Sequence, residues 1–202
     1  IGNKNLRKVN HSVMFDRIEA GTFVIAGALA SKRLKILGID SKILKKELFV
    51  LRKMGVKLKI KKNEIQVRES KNLRPISIKT EPYPGFPTDL QAQTMVLMTK
   101  AKGKSKIKEN IFENRFMHVP ELNRMGAKIK ISENTASING PQNLNGAEVM
   151  ATDLRASVSL VLAGLIARDK TIINRVYHLD RGYERLERKL RNCKADISRI
   201  HY

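Results

Sequence analysis

LRKMGVKLKI, from Leu51 to Ile60, is written a second time as LNRMGAKIKI, from Leu122 to Ile131, about 70 residues further on. A weaker copy, LRNCKADISR, begins at Leu190. In the first two copies, Gly55 and Gly126 follow the last turn of an amphipathic helix, where a left-handed cap suits glycine because it has no Cβ. The residues after them alternate apolar and polar, the period of a half-buried strand. Upstream of each copy lies a second repeated element: DRIEAGTFVIAGALA from Asp16, PTDLQAQTMVLMTKA from Pro87 and ATDLRASVSLVLAGLIA from Ala151. The chain therefore reads as three copies of one unit, spanning about 12–80, 81–148 and 149–202.

Within each copy the first helix is apolar nearly all round, as at Phe23, Val24, Ile25, Ala26, Ala28 and Leu29, or Val158, Leu160, Val161, Leu162, Ala163, Leu165 and Ile166. A helix with no polar face is buried on every side. The second helix carries only a stripe: Leu44, Leu48 and Leu51 in copy one, and Tyr183, Leu186, Leu190 and Cys193 in copy three, with charged residues between them. Strands Val56 to Ile60 and Ala127 to Ile131 each turn back into a partner, Glu64 to Arg68 and Thr135 to Asn139. The unit is helix, strand, helix, hairpin. Three buried helices ringed by short mixed sheets and outer helices predict one α+β domain over 1–202, a pseudo-threefold α/β prism or inside-out α/β barrel. Copy three ends at Tyr202 after a predicted strand with no hairpin partner. Its open edge calls for a partner strand, from Asn5 to Met14 or from a segment outside this sequence. Lys194 stands where the other copies have glycine caps, which predicts a remodelled or strained turn.

The bulk properties narrow the function classes. With 202 residues and 42% hydrophobic content the chain can bury a core. Its longest apolar stretch, around Val158 to Ala167, is far short of the ~20 residues of a membrane span, and no signal peptide is visible. A single cysteine, Cys193, excludes an internal disulfide and suits a reducing cytoplasm; its place on an apolar stripe points to packing rather than reactivity. The net charge of +21 attracts polyanions. The 40 lysines and arginines are spread along the whole chain, however, and aromatics are only 5%, so nucleic acid is possible but not the favoured partner.

The densest set of residues that structure alone does not require is EPYPGFPTDLQAQTMVLMTKAKGKSKIKENIFENRFMHVPEL, Glu81 to Leu122. Pro82, Pro84, Gly85 and Pro87 make a rigid approach, after which Thr88 and Asp89 open a helix as cap residues. YPGFPTDLQAQ followed by ENIFENRFMHVPEL resembles the UDP-N-acetylglucosamine enolpyruvyl transferases (1-carboxyvinyltransferases), which open peptidoglycan precursor synthesis. The likeness covers Val13 to Ile200 but matches only the C-terminal half of such a protein. It implies a bacterial cytoplasmic transferase that moves the enolpyruvyl group of phosphoenolpyruvate to the 3-hydroxyl of UDP-N-acetylglucosamine, with no metal or organic cofactor. It also implies a second domain, carrying a mobile cysteine loop and a catalytic lysine, that is not in this sequence, so the chain alone is expected to be inactive.

The same resemblance assigns roles residue by residue. Asp89 is the candidate base at the sugar hydroxyl, and Asp153 a proton donor or relay at the substrate's methylene carbon. Arg155 holds phosphoenolpyruvate or orients Asp153, Arg115 lines the substrate cleft, and Arg181 binds the phosphoenolpyruvate carboxylate. Ile111 contacts the nucleotide sugar through its backbone, and Arg17 belongs to a motif at the domain junction. On residue chemistry alone, Asp89 and Asp153 read equally as helix caps, and the arginines as solvated surface. Asp153 and Arg155 also read as a local ion pair. Guanidinium forks nevertheless clamp carboxylates and phosphates well, and helix starts favour anions. His118 and His178 lack partners at metal-ligand spacing. Two other functions stay open: a related transferase with a shikimate acceptor, or a non-catalytic cationic scaffold that contacts RNA.

Overall fold

A computed structural model of the chain describes Gly2 and residues 7–200. Its first unit follows the predicted order: helix α1 (Arg17–Ala30), strand β1 (Leu34–Leu37), helix α2 (Lys45–Lys53), then the hairpin β2 (Lys57–Lys61) and β3 (Glu64–Arg68). A short strand β4 (Ser77–Lys79) leads into the second unit. There a 3-10 turn, Thr88–Leu90, runs straight into α3 (Gln91–Met98), followed by β5 (Gly103–Lys108), α4 (Val119–Arg124) and the hairpin β6 (Ile129–Ser132) and β7 (Thr135–Gly140). The third unit has β8 (Glu148–Met150), α5 (Leu154–Gly164), β9 (Ile172–Asn174), a 3-10 segment Val176–Arg181 and α6 (Leu186–Asn192). The result is a mixed α/β architecture of helices and small sheets.

Three sheets form among the described residues: β1-β3-β2, all antiparallel; β4-β5-β7-β6, with β4 parallel to β5; and β8-β9, parallel. Strands β4 and β8 have three residues each, too few for a period-2 signal, and neither is legible in the sequence. The first helix of each unit is buried as its composition requires. Every residue of α3 is buried, as are Ala156 to Ala163 of α5 and most of α1 beyond its first turn. These helices pack α1 on α3 and α3 on α5. Burying each Leu, Ile or Met here contributes about 1.5–3 kcal/mol relative to exposure. Among the described residues no helix is long and apolar enough to cross a membrane.

The glycine caps behave as read: Gly55 and Gly126 have φ of 92° and 94°. Lys194 adopts the same left-handed backbone at φ 72°. Its hydrogen bonds repeat theirs, with Lys194 N donating to Arg191 O and Ala195 N to Leu190 O, as Gly55 N does to Arg52 O and Val56 N to Leu51 O. The third turn is therefore not remodelled; a lysine carries the strained geometry.

Three sequence expectations need correction. Among the described residues no strand forms after Lys194: Ala195 and Ile197 are half-buried and alternate with exposed neighbours, but the backbone has no ladder because no second strand lies beside it. Nor do Arg7 to Met14 supply one, and Val9 and Val13 are exposed; Asn5 and Leu6 lie outside the described residues. Cys193 is exposed at the α6 C-cap, three residues past the buried Leu190, and so is not packing.

Candidate functional site

The starts of α3 and α5 meet. Asp153 is the N-cap of α5, its Oδ1 accepting from Arg155 N at 2.6 Å and Ala156 N at 3.0 Å. Asp89 does not cap its helix, contrary to the sequence expectation: the 3-10 turn Thr88–Leu90 has no side-chain cap bond. A 3-10 turn directs the Asp89 carboxylate outward instead. There Arg155 Nε donates to Asp89 Oδ1 at 2.5 Å, and the Arg155 NH2 group contacts the same oxygen. Arg155 therefore pairs across the repeats with Asp89, not locally with Asp153. Both side chains remain about a third exposed, at 31% and 37%, which leaves them open to a ligand.

A buried layer supports this junction. Gln93 Nε2 donates to the Asp89 carbonyl oxygen at 2.9 Å and to Thr22 Oγ1 at 3.1 Å, and the Thr22 hydroxyl lies 2.8 Å from the Tyr183 hydroxyl. Thus α1, α3 and the segment before α6 are tied together directly beneath Asp89. Burial pushes the Tyr183 hydroxyl pKa up to about 12, against the opposing bonds from Thr22 and Gln93, so it stays a neutral hydrogen-bonding group.

Ile111 and Arg115 lie on the turn between β5 and α4. Glu109, 3% exposed, fixes its start: Oε1 accepts from Ile111 N at 2.9 Å, Phe112 N at 3.3 Å and Thr80 Oγ1 at 2.7 Å, while Oε2 accepts from Thr88 Oγ1 at 2.9 Å. The loop of Ile111 and Arg115 is therefore anchored one residue away from Asp89. The Arg115 guanidinium stacks 4.2 Å above the Phe112 ring. Sequence reasoning missed Glu109, although the signal was there: in KSKIKE, period 2 puts Ser105, Ile107 and Glu109 on one inward face. A carboxylate at an inward strand position is a flag for a special role.

Arg181 is exposed at the end of the 3-10 segment Val176–Arg181. A Cβ on the next residue, Gly182, would lie 2.8 Å from Leu154, the first residue of α5, so Arg181 sits beside that helix start. Arg17 donates to Glu47 Oε1 at 2.7 Å and lies 5.2 Å from the Tyr83 ring centroid, which ties the YPGFP loop to α1 and α2. Burial pushes the Glu47 carboxyl pKa up, against its backbone hydrogen bond and the Arg17 charge. His118 is 2% exposed with Nε2 unpartnered, and burial drives its pKa down to about 4 despite the nearby Asp153 charge. Among the described residues no three His, Cys, Asp or Glu side chains gather in a metal-binding group.

Known proteins are similar to this chain in sequence and fold. A UDP-N-acetylglucosamine 1-carboxyvinyltransferase of Pelagibacter ubique is 61% identical over 99% of this chain, and one of Rickettsia akari is 53% identical over 98%. In both cases the match covers 48% of the relative, so the chain spans about half the length of the curated proteins it matches. The crystal structure of the enolpyruvyl transferase NikO from Streptomyces tendae superposes with a TM-score of 0.86 at 32% identity, covering 92% of this chain and 44% of that one. An EPSP synthase from Acinetobacter baumannii shares the fold at a TM-score of 0.63 and 19% identity, over 81% of this chain and 40% of that one. Residues 1–190 match the family described as EPSP synthase (3-phosphoshikimate 1-carboxyvinyltransferase), and the chain belongs to that enolpyruvyl transferase family.

Proposed function

We propose that this chain is the C-terminal part of a UDP-N-acetylglucosamine 1-carboxyvinyltransferase, a pseudo-threefold α/β prism that forms one wall of a cleft. Its units are 12–80, 81–148 and 149–202, and the facing domain is a separate part of the whole protein. The observation that carries this reading is the contact between the Asp89 carboxylate and Arg155, which puts a proton acceptor and an anion-binding fork at adjoining helix starts. The likeness to relatives bearing that name supports the acceptor.

The chemistry follows from these groups. The Asp89 carboxylate takes the proton of the sugar 3-hydroxyl, and the oxygen adds to C2 of phosphoenolpyruvate while the methylene carbon gains a proton from the acid Asp153 or through it. Both amide bonds to Asp153 fall on Oδ1, which leaves Oδ2 for this transfer. The Asp153 carboxylate left by that addition then takes a proton back from the new methyl group as phosphate departs, which gives the enolpyruvyl ether. Arg155, Arg115 and Arg181 hold the anionic groups in place, and charge-assisted forks of this kind are roughly twice as strong as neutral hydrogen bonds. Substrate phosphate or carboxylate competes for Arg155 and frees Asp89 to act as the base. The product enters cell-wall synthesis in the cytoplasm.

Phosphate release from the full-length protein, with phosphoenolpyruvate and UDP-N-acetylglucosamine, tests the reading. Asp89→Asn is expected to lower kcat by about 100- to 10,000-fold. Normal turnover by that variant removes Asp89 from the mechanism, and turnover with 3-phosphoshikimate in place of the sugar nucleotide moves the acceptor to the shikimate branch. The 202 residues alone are expected to release no phosphate, because in this reading they supply only one wall of the cleft.

A further inference from the structure

Among the described residues, no cation lies within salt-bridge distance of Glu109, a buried carboxylate. Its side-chain bonds come from two threonine hydroxyls, Thr80 and Thr88, and two backbone amides, Ile111 and Phe112. Those donors belong to three separate segments: the end of β4, the 3-10 turn that carries Asp89, and the loop that carries Ile111 and Arg115. The arrangement closes on itself, since Thr80 Oγ1 accepts from Asn110 N at 2.9 Å and Thr80 N donates to Lys108 O at 2.9 Å. A strand end that needed only to be buried would be served by an apolar residue, as Ile107 serves two positions earlier. A carboxylate is acceptor-only with room for several donors, so it can gather separate segments that each offer an N–H or O–H.

We propose that Glu109 is a positioning residue for the acceptor side of the site, setting the distance between Asp89 and the Ile111–Arg115 loop. This rests on the reading above, in which those two segments hold the sugar nucleotide. In that reading phosphoenolpyruvate is held by Arg155 in the first turn of α5 and by Arg181 beside it; Arg155 makes no bond to Glu109 and meets its network only through Asp89. Glu109 therefore acts on one substrate more than the other, a split that general loss of stability does not produce.

The geometry also separates two substitutions. In Glu109→Gln the amide oxygen can keep the bonds to Thr80, Ile111 and Phe112, while its nitrogen faces Thr88, whose hydroxyl can turn from donor to acceptor. In Glu109→Ala all four donors lose their acceptor.

The experiment uses the full-length protein with both substrates, and hydrogen exchange of the resting protein as a readout independent of turnover. Expected for Glu109→Ala is a KM for UDP-N-acetylglucosamine raised about 10- to 100-fold with the KM for phosphoenolpyruvate within about threefold, and faster exchange at the Ile111 and Phe112 amides. Glu109→Gln is expected to restore both constants to within about fivefold of wild type and to restore amide protection. Should Glu109→Ala fail to fold, Thr88→Val carries the test: cutting the single link to the Asp89 turn raises the KM for UDP-N-acetylglucosamine more than that for phosphoenolpyruvate while Ile111 and Phe112 stay protected, and equal changes overturn the proposal. Equal changes in both KM values, unchanged constants in Glu109→Ala, or no recovery in Glu109→Gln overturns the proposal. If the wild-type protein neither binds nor turns over the sugar nucleotide, the functional reading fails instead, and the exchange data still report whether Glu109 holds the loop.

Discussion

Replacing Lys194 by glycine and by alanine isolates the strain in the third helix cap. Both variants lose the exposed lysine charge at the α6 C-terminus, so the helix-dipole contribution, about 0.3–1 kcal/mol, cancels between them. At φ 72° a Cβ meets the left-handed penalty of roughly 1–2 kcal/mol, which glycine escapes. Glycine's greater freedom in the unfolded chain takes back about 0.5–1 kcal/mol. Lys194→Gly is therefore expected to be about 1 kcal/mol more stable than Lys194→Ala, or roughly 2–4 °C in Tm for a unit of this size. The other caps calibrate the scale. At Gly126 an added Cβ meets nothing closer than 3.6 Å, so Gly126→Ala costs the backbone strain alone; at Gly55 it lies 3.3 Å from Asn72 O, so Gly55→Ala costs more. Urea unfolding of the four variants gives the order directly. If Lys194→Ala equals or exceeds Lys194→Gly in stability, Lys194 is not left-handed and the shared cap geometry of the three units is wrong.

Breaking the Arg17–Glu47 pair from one side strands a buried carboxylate: Arg17→Met is expected to cost about 1–3 kcal/mol, and adding Glu47→Gln should recover part of it in a denaturation cycle. His118 takes up a proton near pH 6.5 when unfolded but only near 4 when folded, so the unfolded chain binds more protons between those values. Its neutral burial is therefore fully tolerated above pH 6.5, and stability falls toward pH 4 by up to roughly 3 kcal/mol. A His118→Asn variant is expected to show a flatter urea-midpoint profile over that range; an unchanged slope assigns the acid sensitivity elsewhere. Tyr183→Phe removes the hydroxyl 2.8 Å from Thr22 and is expected to cost about 1 kcal/mol in the same assay. On stability the Asp89→Asn and Arg155→Gln pair should couple by no more than about 1 kcal/mol, because both groups are partly exposed.

What the sequence determined alone is what depends on local periodicity and backbone chemistry. The all-apolar helix beginnings, the glycine caps and the alternating hairpins set out the element order of the first two units, because burial and left-handed backbone leave their mark within a few residues. The motif around Asp89 named the family for the same reason: it is contiguous. Whatever depends on a neighbour distant in the chain was left to the tertiary structure. The alternation after Lys194 fits a strand, yet a strand also needs a partner ladder. Asp89 and Asp153 look alike as helix starts, but only the packing of α3 on α5 made the first an ion-pair partner of Arg155 and left the second a cap. Glu109 sits just past an inward strand face where its neighbours Ile111 and Phe112 supply two donors, but the other two, Thr80 and Thr88, come from segments that only folding brings to it. Local pattern fixes which face a side chain takes, and the long-range contacts of the folded chain fix what it meets there.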